Sequence, residues 1–130
     1  MTAGQPSTGA SGAPARFSRA QRLRRPAEFQ AAYRLGRRFG NELLTATVRP
    51  NEGAGARLGL SIAARTVGNA VSRNRLRRLI RDSFRLQQRA LPPVDIVIGA
   101  RSAARTASAA LLRTGLQRLW DQIKEAWAPR

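Results

Sequence analysis

The stretch from residue 69 to residue 91 holds seven arginines and a single acidic residue, Asp82. On a helical wheel, at about 100° per residue, its apolar side chains share one broad arc. The members of that arc are Leu76, Leu79, Ile80, Ser83, Leu86, Ala90 and Leu91, with Phe84 at its edge. The members of the opposite arc are Asn74, Arg77, Arg78, Arg81, Arg85, Gln88 and Arg89, with Arg73 and Arg75 near the two flanks. The pattern predicts a long helix with an apolar core face and a positively charged outer face.

The positive face of this predicted helix repels itself. Arg77 and Arg81 are four residues apart, as are Arg81 and Arg85. Each like-charged pair at that spacing costs a few tenths of a kcal/mol. A solvated helix face ordinarily mixes charges of both signs and gains from the same spacing. The lack of acidic partners at matching positions therefore favours a polyanion as the ligand of this face.

Composition points in the same direction. The chain carries 24 basic and 7 acidic residues, a formal net charge of +17, and Lys124 is the one lysine among the basic residues. The planar guanidinium group of arginine binds phosphate through paired hydrogen bonds and stacks on bases. Nucleic acid is therefore the expected partner, and an anionic membrane surface is the alternative.

The chain offers few groups for chemistry of its own. It has no cysteine and no histidine, which excludes zinc sites, thiol nucleophiles, histidine bases and disulfides. Its acidic residues show no paired spacing; they are Glu28, Glu42, Glu52, Asp82, Asp95, Asp121 and Glu125. A protein that hydrolyses phosphodiesters with Mg²⁺ needs carboxylates that converge. We therefore expect no catalytic residue and no metal site in this chain.

Composition also divides the chain in two. Residues 1–18 are mostly glycine, alanine, serine, threonine and proline, and they are predicted to form a flexible tail because they have too little apolar surface to offset the entropy of ordering. Residues 19–127 are predicted to form a single RNA-binding α/β domain. No stretch approaches the ~20 apolar residues of a membrane span, and residues 1–15 do not resemble a secretory signal. The expected location is the cytoplasm.

Hydrophobic periodicity and turn residues predict the elements of the domain. They are a helix at 26–36, an extended stretch at 39–48, a strand at 57–63, the long helix at 69–91 with Asn69 as its N-cap, a strand at 95–99 and a helix at 105–126. Trp120 is predicted to lie in the core. The order α-β-β-(β)-α-β-α, with the bracketed strand optional, predicts the α+β class: a single-domain α/β sandwich with one mixed sheet covered by helices.

The start of the predicted long helix resembles a known signature. Residues 67–81 read Val-Gly-Asn-Ala-Val-Ser-Arg-Asn-Arg-Leu-Arg-Arg-Leu-Ile-Arg. The protein subunit of bacterial ribonuclease P carries Gly-Asn-Ala-Val, one variable residue, Arg-Asn-Arg, an apolar residue and a basic pair. The resemblance extends over about residues 19–124 and includes Glu28-Phe29 and Tyr33 in the first helix and the strand at 95–99.

The resemblance implies a fold and a function. The fold would contain a left-handed βαβ crossover around the arginine-rich helix, against the usual hand of such connections. The protein would bind the catalytic RNA of ribonuclease P, one protein per RNA, and the 5′ leader of precursor tRNA. The reaction would be endonucleolytic removal of that leader, with catalysis and Mg²⁺ carried by the RNA.

The resemblance also implies roles for individual residues. Those matched to the binding of catalytic RNA are Arg65, Asn69, Arg73, Asn74, Arg75, Arg77, Arg78, Arg81 and Arg85. Phe29 and Tyr33 match the aromatic residues of the leader cleft. The chain departs from the family pattern twice: Arg65 stands alone where the family commonly has a basic pair, and Thr45 or Thr47 stands where an aromatic residue often faces the cleft.

Three other functions stay open from the sequence. A ribosomal or other RNA-binding protein would share the charge and the lack of catalytic groups, and the RNA that copurifies would distinguish it. A protein of the membrane surface would expose large apolar residues opposite its arginines. An autonomous nuclease would need the converging carboxylates that the sequence does not show.

Overall fold

Residues 22–53 and 55–128, the part of the chain that the computed structural model describes, form four strands, four α-helices and one 3-10 turn. In chain order these elements are α1 (Pro26–Leu35), β1 (Arg37–Gly40), β2 (Leu44–Pro50), β3 (Arg57–Ser61), α2 (Ala64–Val67), α3 (Ala70–Gln87), β4 (Val94–Ala100), the 3-10 turn (Ser102–Arg105) and α4 (Ala109–Ala126). The tail predicted at residues 1–18 lies outside the described residues.

The strands form one mixed sheet in the order β1-β2-β4-β3. Strand β2 is antiparallel to both β1 and β4, whereas β3 is parallel to β4. In this register Val48 and Leu58 lie on either side of Ile96 and share its face of the sheet. The mixed sheet and its helices confirm the predicted α+β class, and β1 is the strand that the sequence left optional.

Strands β3 and β4 are parallel neighbours joined by a crossover that contains α2 and α3. A parallel pair needs a long connection because the chain must return to the starting edge of the sheet. This crossover contains the arginine-rich helix, as the resemblance implies. The left-handed sense of this crossover connection stays a prediction.

Helices α3 and α4 cover one face of the sheet. The buried residues of this layer include Leu44, Ala46, Val48, Ile96 and Ile98 from the sheet and Leu76, Ile80, Phe84, Leu116, Trp120 and Ile123 from the helices. Trp120 is in the core, as predicted; its ring lies edge-on to Phe84 at 5.9 Å and its indole N–H donates a 2.8 Å hydrogen bond to Ser83. Burial of each large side chain contributes about 1.5–3 kcal/mol. The apolar residues of α3 therefore fix how this helix is rotated about its axis.

Helix α1 covers the opposite face, with a much smaller apolar contact. The apolar residues of this second layer are Leu23, Phe29, Ala32 and Val97. The backbone N–H of Leu23 donates a 2.9 Å hydrogen bond to Leu58 on β3, so the segment before α1 runs beside the sheet edge. Polar bonds must therefore contribute to the position of α1.

An ion-pair cluster supplies those bonds. Arg57 on β3 donates two hydrogen bonds of 2.7 Å to Asp95, which is buried on β4, and one of 3.0 Å to Glu28 on α1. The other carboxylate oxygen of Glu28 accepts the backbone N–H groups of Arg25 and Arg24, both at 3.0 Å, and so caps the helix. These backbone hydrogen bonds, together with the charge of Arg57, lower the pKa of Glu28. The hydrogen bonds to Asp95 raise the pKa of Arg57.

Two predicted element boundaries are wrong for local reasons. The extended stretch predicted at 39–48 is two strands, because the side-chain oxygen of Asn41 accepts the N–H of Leu44 at 3.0 Å and turns the chain. The last helix begins later than residue 105, because Ser108 caps it by accepting the N–H of Leu111 at 3.1 Å. Residue 105 belongs instead to the 3-10 turn.

The predicted core face of the long helix is partly wrong. Helix α3 ends at Gln87 rather than near residue 91, and the chain then tightens into a turn in which the N–H of Ala90 bonds to the carbonyl of Gln87, ahead of two prolines. Leu86 is 70% exposed, although the wheel placed it in the apolar arc, whereas Phe84 at the edge of that arc is fully buried. The buried arc is centred near Ile80, and Leu86 lies roughly 120° from it around the helix axis.

Replacement of Glu28 by Gln is expected to lower the free energy of unfolding by about 1–2 kcal/mol at neutral pH, because an amide weakens the helix-capping bonds and the ion pair with Arg57. The folded-state pKa of Glu28 lies below its ordinary value of 4.5. The contribution of its charge is therefore complete above that value and is lost as the pH falls through the folded-state pKa. Denaturant unfolding at neutral pH and near pH 3 measures both effects.

The matched control is Glu125→Gln, which makes the same chemical change at an exposed residue near the end of α4. It should leave the free energy of unfolding within about 0.5 kcal/mol of the wild-type value. Equal losses in the two variants would contradict the role of the cluster, as would a Glu28→Gln loss that does not shrink in acid.

Candidate nucleic-acid interface

The start of α3 is fixed by a cap. Gly68 precedes it with a φ of 100°, a backbone conformation that glycine adopts without strain. The side-chain oxygen of Asn69 then accepts the backbone N–H of Ser72 at 2.9 Å, which confirms the predicted N-cap. The side-chain oxygen of Asn69 is therefore used in the cap, and its amide NH₂ group can donate a hydrogen bond to a ligand.

The polar side chains of α3 leave the helix in three directions. The residues that point away from the body of the protein are Asn74, Arg78, Arg81 and Arg85, termed here the outer row. Together with Arg22 and Asp82 they line a shallow hollow of about 380 Å³. The outer row spans about three helical turns. The structure therefore confirms a positively charged outer face, narrower than the predicted arc.

A second hollow, of about 300 Å³, lies between α1, α3 and β3 and is termed here the α1 hollow. Its lining residues are Arg22, Leu23, Arg24, Phe29, Leu58, Leu60, Arg77 and Arg81. It combines an aromatic ring and aliphatic side chains with four arginines. Single-stranded nucleic acids are bound by such grooves, in which bases stack on rings and phosphates pair with cations.

Arg81 lines both hollows. Partial desolvation lowers the pKa of Arg81, and the positive charges of Arg22 and Arg77 lower it further. Part of this change comes from the neighbouring guanidinium groups, whose crowding carries an electrostatic cost. A phosphate group between them would remove that cost, so the edge shared by the two hollows is a favourable position for an anion.

The two aromatic residues predicted for the cleft are placed differently. Phe29 is partly buried, and its ring lies directly on β3: a Cβ added at Gly59 would come within 2.8 Å of the Cζ atom of the ring. Tyr33 is 51% exposed and does not line the α1 hollow. The structure therefore brings Phe29 together with arginines of α3 and leaves Tyr33 one turn further along α1.

Thr45 and Thr47 lie on the face of the sheet that α1 covers, as their alternation with buried neighbours requires. Thr47 is buried beside the end of α1, where its Cγ2 atom would lie 3.0 Å from a Cβ added at Gly36. Neither threonine lines the α1 hollow. Arg65 is exposed on α2 and lies outside both hollows.

Two arginines of the motif do not belong to the outer row. Arg73 is partly buried rather than on an exposed flank, and its Nε atom is covered without a hydrogen-bond partner among the described residues. On the wheel it lies between Ile80 and Phe84, on the core side of α3. Arg75 leaves the helix toward α4, where it lines a small cavity with Ser72.

The structure brings together two carboxylates that the sequence places far apart. Glu28 and Asp95 meet at Arg57, which binds both of them. Within residues 22–53 and 55–128, no group of three or more histidine, cysteine or acidic side chains is placed to hold a metal ion. In the same two ranges, no helix has the length and apolar character needed to cross a membrane.

Sequence reasoning missed Arg22 and Arg24 as lining residues of the α1 hollow. The sequence signal was a basic run before Pro26, which did not indicate where the run would lie. An isolated parallel bridge between Arg22 and Leu58 fixes this segment beside β3 and hence close to α3. That pairing joins residues remote in sequence, so no local pattern contains it.

Comparisons with known proteins find relatives over most of the chain. The family model "Ribonuclease P" matches residues 17–124. The ribonuclease P protein component of Methylococcus capsulatus is 39% identical over 104 residues, which cover 80% of this chain and 81% of that protein. The corresponding protein of Thioalkalivibrio sulfidiphilus is 36% identical over 107 residues, which cover 82% of this chain and 89% of that protein.

Solved structures share the fold. A Staphylococcus aureus RNase P protein mutant with defective mRNA degradation activity superposes with a TM-score of 0.76 at 29% sequence identity, covering 81% of this chain and 89% of that chain. The RNase P protein from Thermotoga maritima superposes with a TM-score of 0.71 at 29% identity, covering 78% of this chain and 96% of that chain. Both have the mixed α+β fold found for this chain.

Proposed function

This chain belongs to the ribonuclease P protein family, and on that premise we propose that it binds the catalytic RNA of ribonuclease P and the 5′ leader of precursor tRNA. Membership of the family implies a role in tRNA processing as the partner of the ribonuclease P RNA. The finer proposal is endonucleolytic removal of the leader, which gives the mature 5′ end. The α1 hollow carries this proposal, because Phe29 and the motif arginines Arg77 and Arg81 line one groove.

The outer row is assigned to the catalytic RNA, together with Arg65 on α2 and Asn69, the N-cap of α3. Each guanidinium group can bind two phosphate oxygens at once. A protein that neutralises six to ten phosphates changes its affinity by about 10³–10⁵ between 50 and 200 mM salt. Contacts of this kind position the protein on the RNA backbone and read no base sequence.

The α1 hollow is assigned to the leader. Its aliphatic wall and the ring of Phe29 can receive unpaired bases, while Arg77 and Arg81 lie close enough to neutralise the phosphates beside them. Stacking of one base on an aromatic ring is worth about 1–3 kcal/mol. Tyr33, which is exposed one turn further along α1, is assigned to the adjoining nucleotide.

The chemistry is assigned to the RNA, in a complex with one protein per RNA placed in the cytoplasm. The chain has no histidine to act as a general base. Its two converging carboxylates, Glu28 and Asp95, already bind Arg57. Mg²⁺ is therefore assigned to the RNA, whose phosphate oxygens are the hard ligands that this ion prefers. The protein contributes positive charge and a binding groove for the substrate.

Cleavage of 5′-labelled precursor tRNA at low Mg²⁺ tests this division of roles. The reactions contain catalytic RNA alone, this protein alone, or both. We expect leader release from the combination only. The RNA carries the chemistry, and the arginines of the protein neutralise phosphates that Mg²⁺ at low concentration leaves uncompensated. Release by the protein alone would identify an autonomous nuclease. No stimulation by the protein would reject the proposed function in favour of another RNA-binding role.

The double variant Arg78→Ala/Arg81→Ala should weaken binding to the catalytic RNA, because it removes two charges of the outer row. At about 0.9 per phosphate contact, the slope of log affinity against log salt should become shallower by about 1.5–2. The matched control is Arg113→Ala/Arg118→Ala, which removes the same charge from exposed positions on α4. Equal slopes for the two double variants would argue against the outer row as the RNA contact.

Phe29→Ala should reduce the affinity of the assembled complex for precursor tRNA by about 5- to 150-fold, which corresponds to the loss of one stacked base. Its affinity for mature tRNA, which lacks the leader, should stay unchanged. Phe39→Ala is the control, because this partly buried ring packs against Trp127 at 6.0 Å, on the edge strand β1. Thermal melting checks that both variants fold. Equal losses of affinity for precursor and mature tRNA would contradict the assignment of the α1 hollow to the leader.

A further inference from the structure

An arginine from outside the motif reaches the start of α3. Arg105 ends the 3-10 turn between β4 and α4. Its guanidinium group lies over Gly68, because a Cβ added to that glycine would be 3.6 Å from the Nε atom of Arg105 and 3.7 Å from one of its terminal nitrogens. After β4 the chain therefore returns to the amino end of the motif helix and adds a positive charge there.

Arg105 shares a small cavity with Arg75, the motif arginine that leaves α3 toward α4. The cavity has a volume of about 60 Å³ and includes the apolar side chains of Leu76 and Leu112 in its walls. Its polar lining consists of the two arginines and Ser72. Two cationic side chains from different elements thus converge on one place.

Neither Arg75 nor Arg105 forms an ion pair with any of the residues that the structure describes, and no acidic side chain lines this cavity. Both side chains are exposed, so solvent screens their mutual repulsion, and an anion that binds them displaces no carboxylate of the described residues. An anion that accepts hydrogen bonds from both arginines would convert this repulsion into attraction.

A phosphodiester group is the anion that this cavity suits. Each guanidinium group presents a planar fork of N–H donors that matches two phosphate oxygens. The cavity of about 60 Å³ admits a phosphate oxygen, because one buried water molecule needs only ~10–15 Å³ of such volume. None of the described residues that line it has an aromatic ring on which a base could stack. The ligand is therefore the backbone of a nucleic acid rather than a base.

We propose that Arg105 and Arg75 together hold a phosphodiester of the catalytic RNA on the α4 side of α3. The proposal rests on the proposed function and extends the RNA-facing surface from the outer row around the start of the helix. The α1 hollow, assigned to the leader, is lined by the opposite side of α3. The helix itself separates the two positions, which assigns this phosphate to the catalytic RNA and not to the leader.

The first experiment compares Arg105→Ala with Arg118→Ala in the full-length protein. Arg105→Ala should weaken binding to the catalytic RNA about five- to tenfold near 0.1 M salt, and it should make the slope of log affinity against log salt shallower by about 0.7–0.9. Arg118→Ala removes the same charge from an exposed position on α4 outside the cavity and should keep the wild-type slope. Thermal melting verifies that both variants are folded.

A double-mutant cycle then tests whether the two arginines share one phosphate. The variant Arg75→Ala/Arg105→Ala should lose less affinity than the product of the two single losses, because either substitution alone already disrupts the shared contact. Losses that multiply would overturn the shared site. An Arg105→Ala slope equal to that of Arg118→Ala would overturn the contact itself.

Wild-type affinity for the catalytic RNA, measured first, separates the two proposals. If the wild-type protein does not bind this RNA, the proposed function fails and the Arg105 site fails with it. If the wild-type protein binds and Arg105→Ala behaves like its control, the Arg105 site alone fails. A loss confined to precursor tRNA binding by the assembled complex would also overturn the site, because it would assign the phosphate to the other RNA.

Discussion

Arg57 holds α1 at a defined position on the sheet, and the α1 hollow depends on that position. It binds buried Asp95 at 2.7 Å and Glu28 of α1 at 3.0 Å, across a layer whose apolar contact is small. A buried ion pair such as Arg57–Asp95 adds little net stability, but removal of its buried partner Asp95 would leave an uncompensated charge at a cost of about 3–5 kcal/mol. The cluster therefore acts mainly as a positional constraint. Phe29 follows Glu28 directly, so the same constraint sets its ring against Gly59 and opposite α3.

Helix α3 is held in a different way, by apolar burial. Ile80 and Phe84 are fully buried, and together with Leu76 they allow one rotation of the helix. Its cations therefore separate into the outer row, the side of the α1 hollow and the side that faces α4. If the helix could rotate about its axis, its arginines would have no fixed neighbours and would form one undivided positive surface. The packed helix presents three surfaces with different neighbours, which is what allows different segments of RNA to be assigned to them.

The charge of the chain fits a protein that works as the partner of an RNA. A net charge of +17 in 130 residues opposes folding through self-repulsion and favours association with a polyanion. Almost all of that charge is arginine, whose planar group pairs with phosphate oxygens and stacks on bases. The carboxylates that converge in the described part of the chain are bound by Arg57. The described part of the protein thus presents many groups that can bind phosphate, most of them on and around α3.

Apart from the short helix α2 and the separate strand β1, the sequence by itself determined the order of elements. It also determined the α+β class, the cap of α3 and the presence of a charged helix face, because periodicity and capping depend on residues close together in the chain. The motif at residues 67–81 also indicated the family. Tertiary structure alone decided which side of α3 is covered by the rest of the protein. As a result Leu86 is exposed and Arg73 is partly buried. It alone brought Arg22 and Arg105 to α3. Those placements come from strand pairing and packing between residues remote in sequence, which no local pattern encodes.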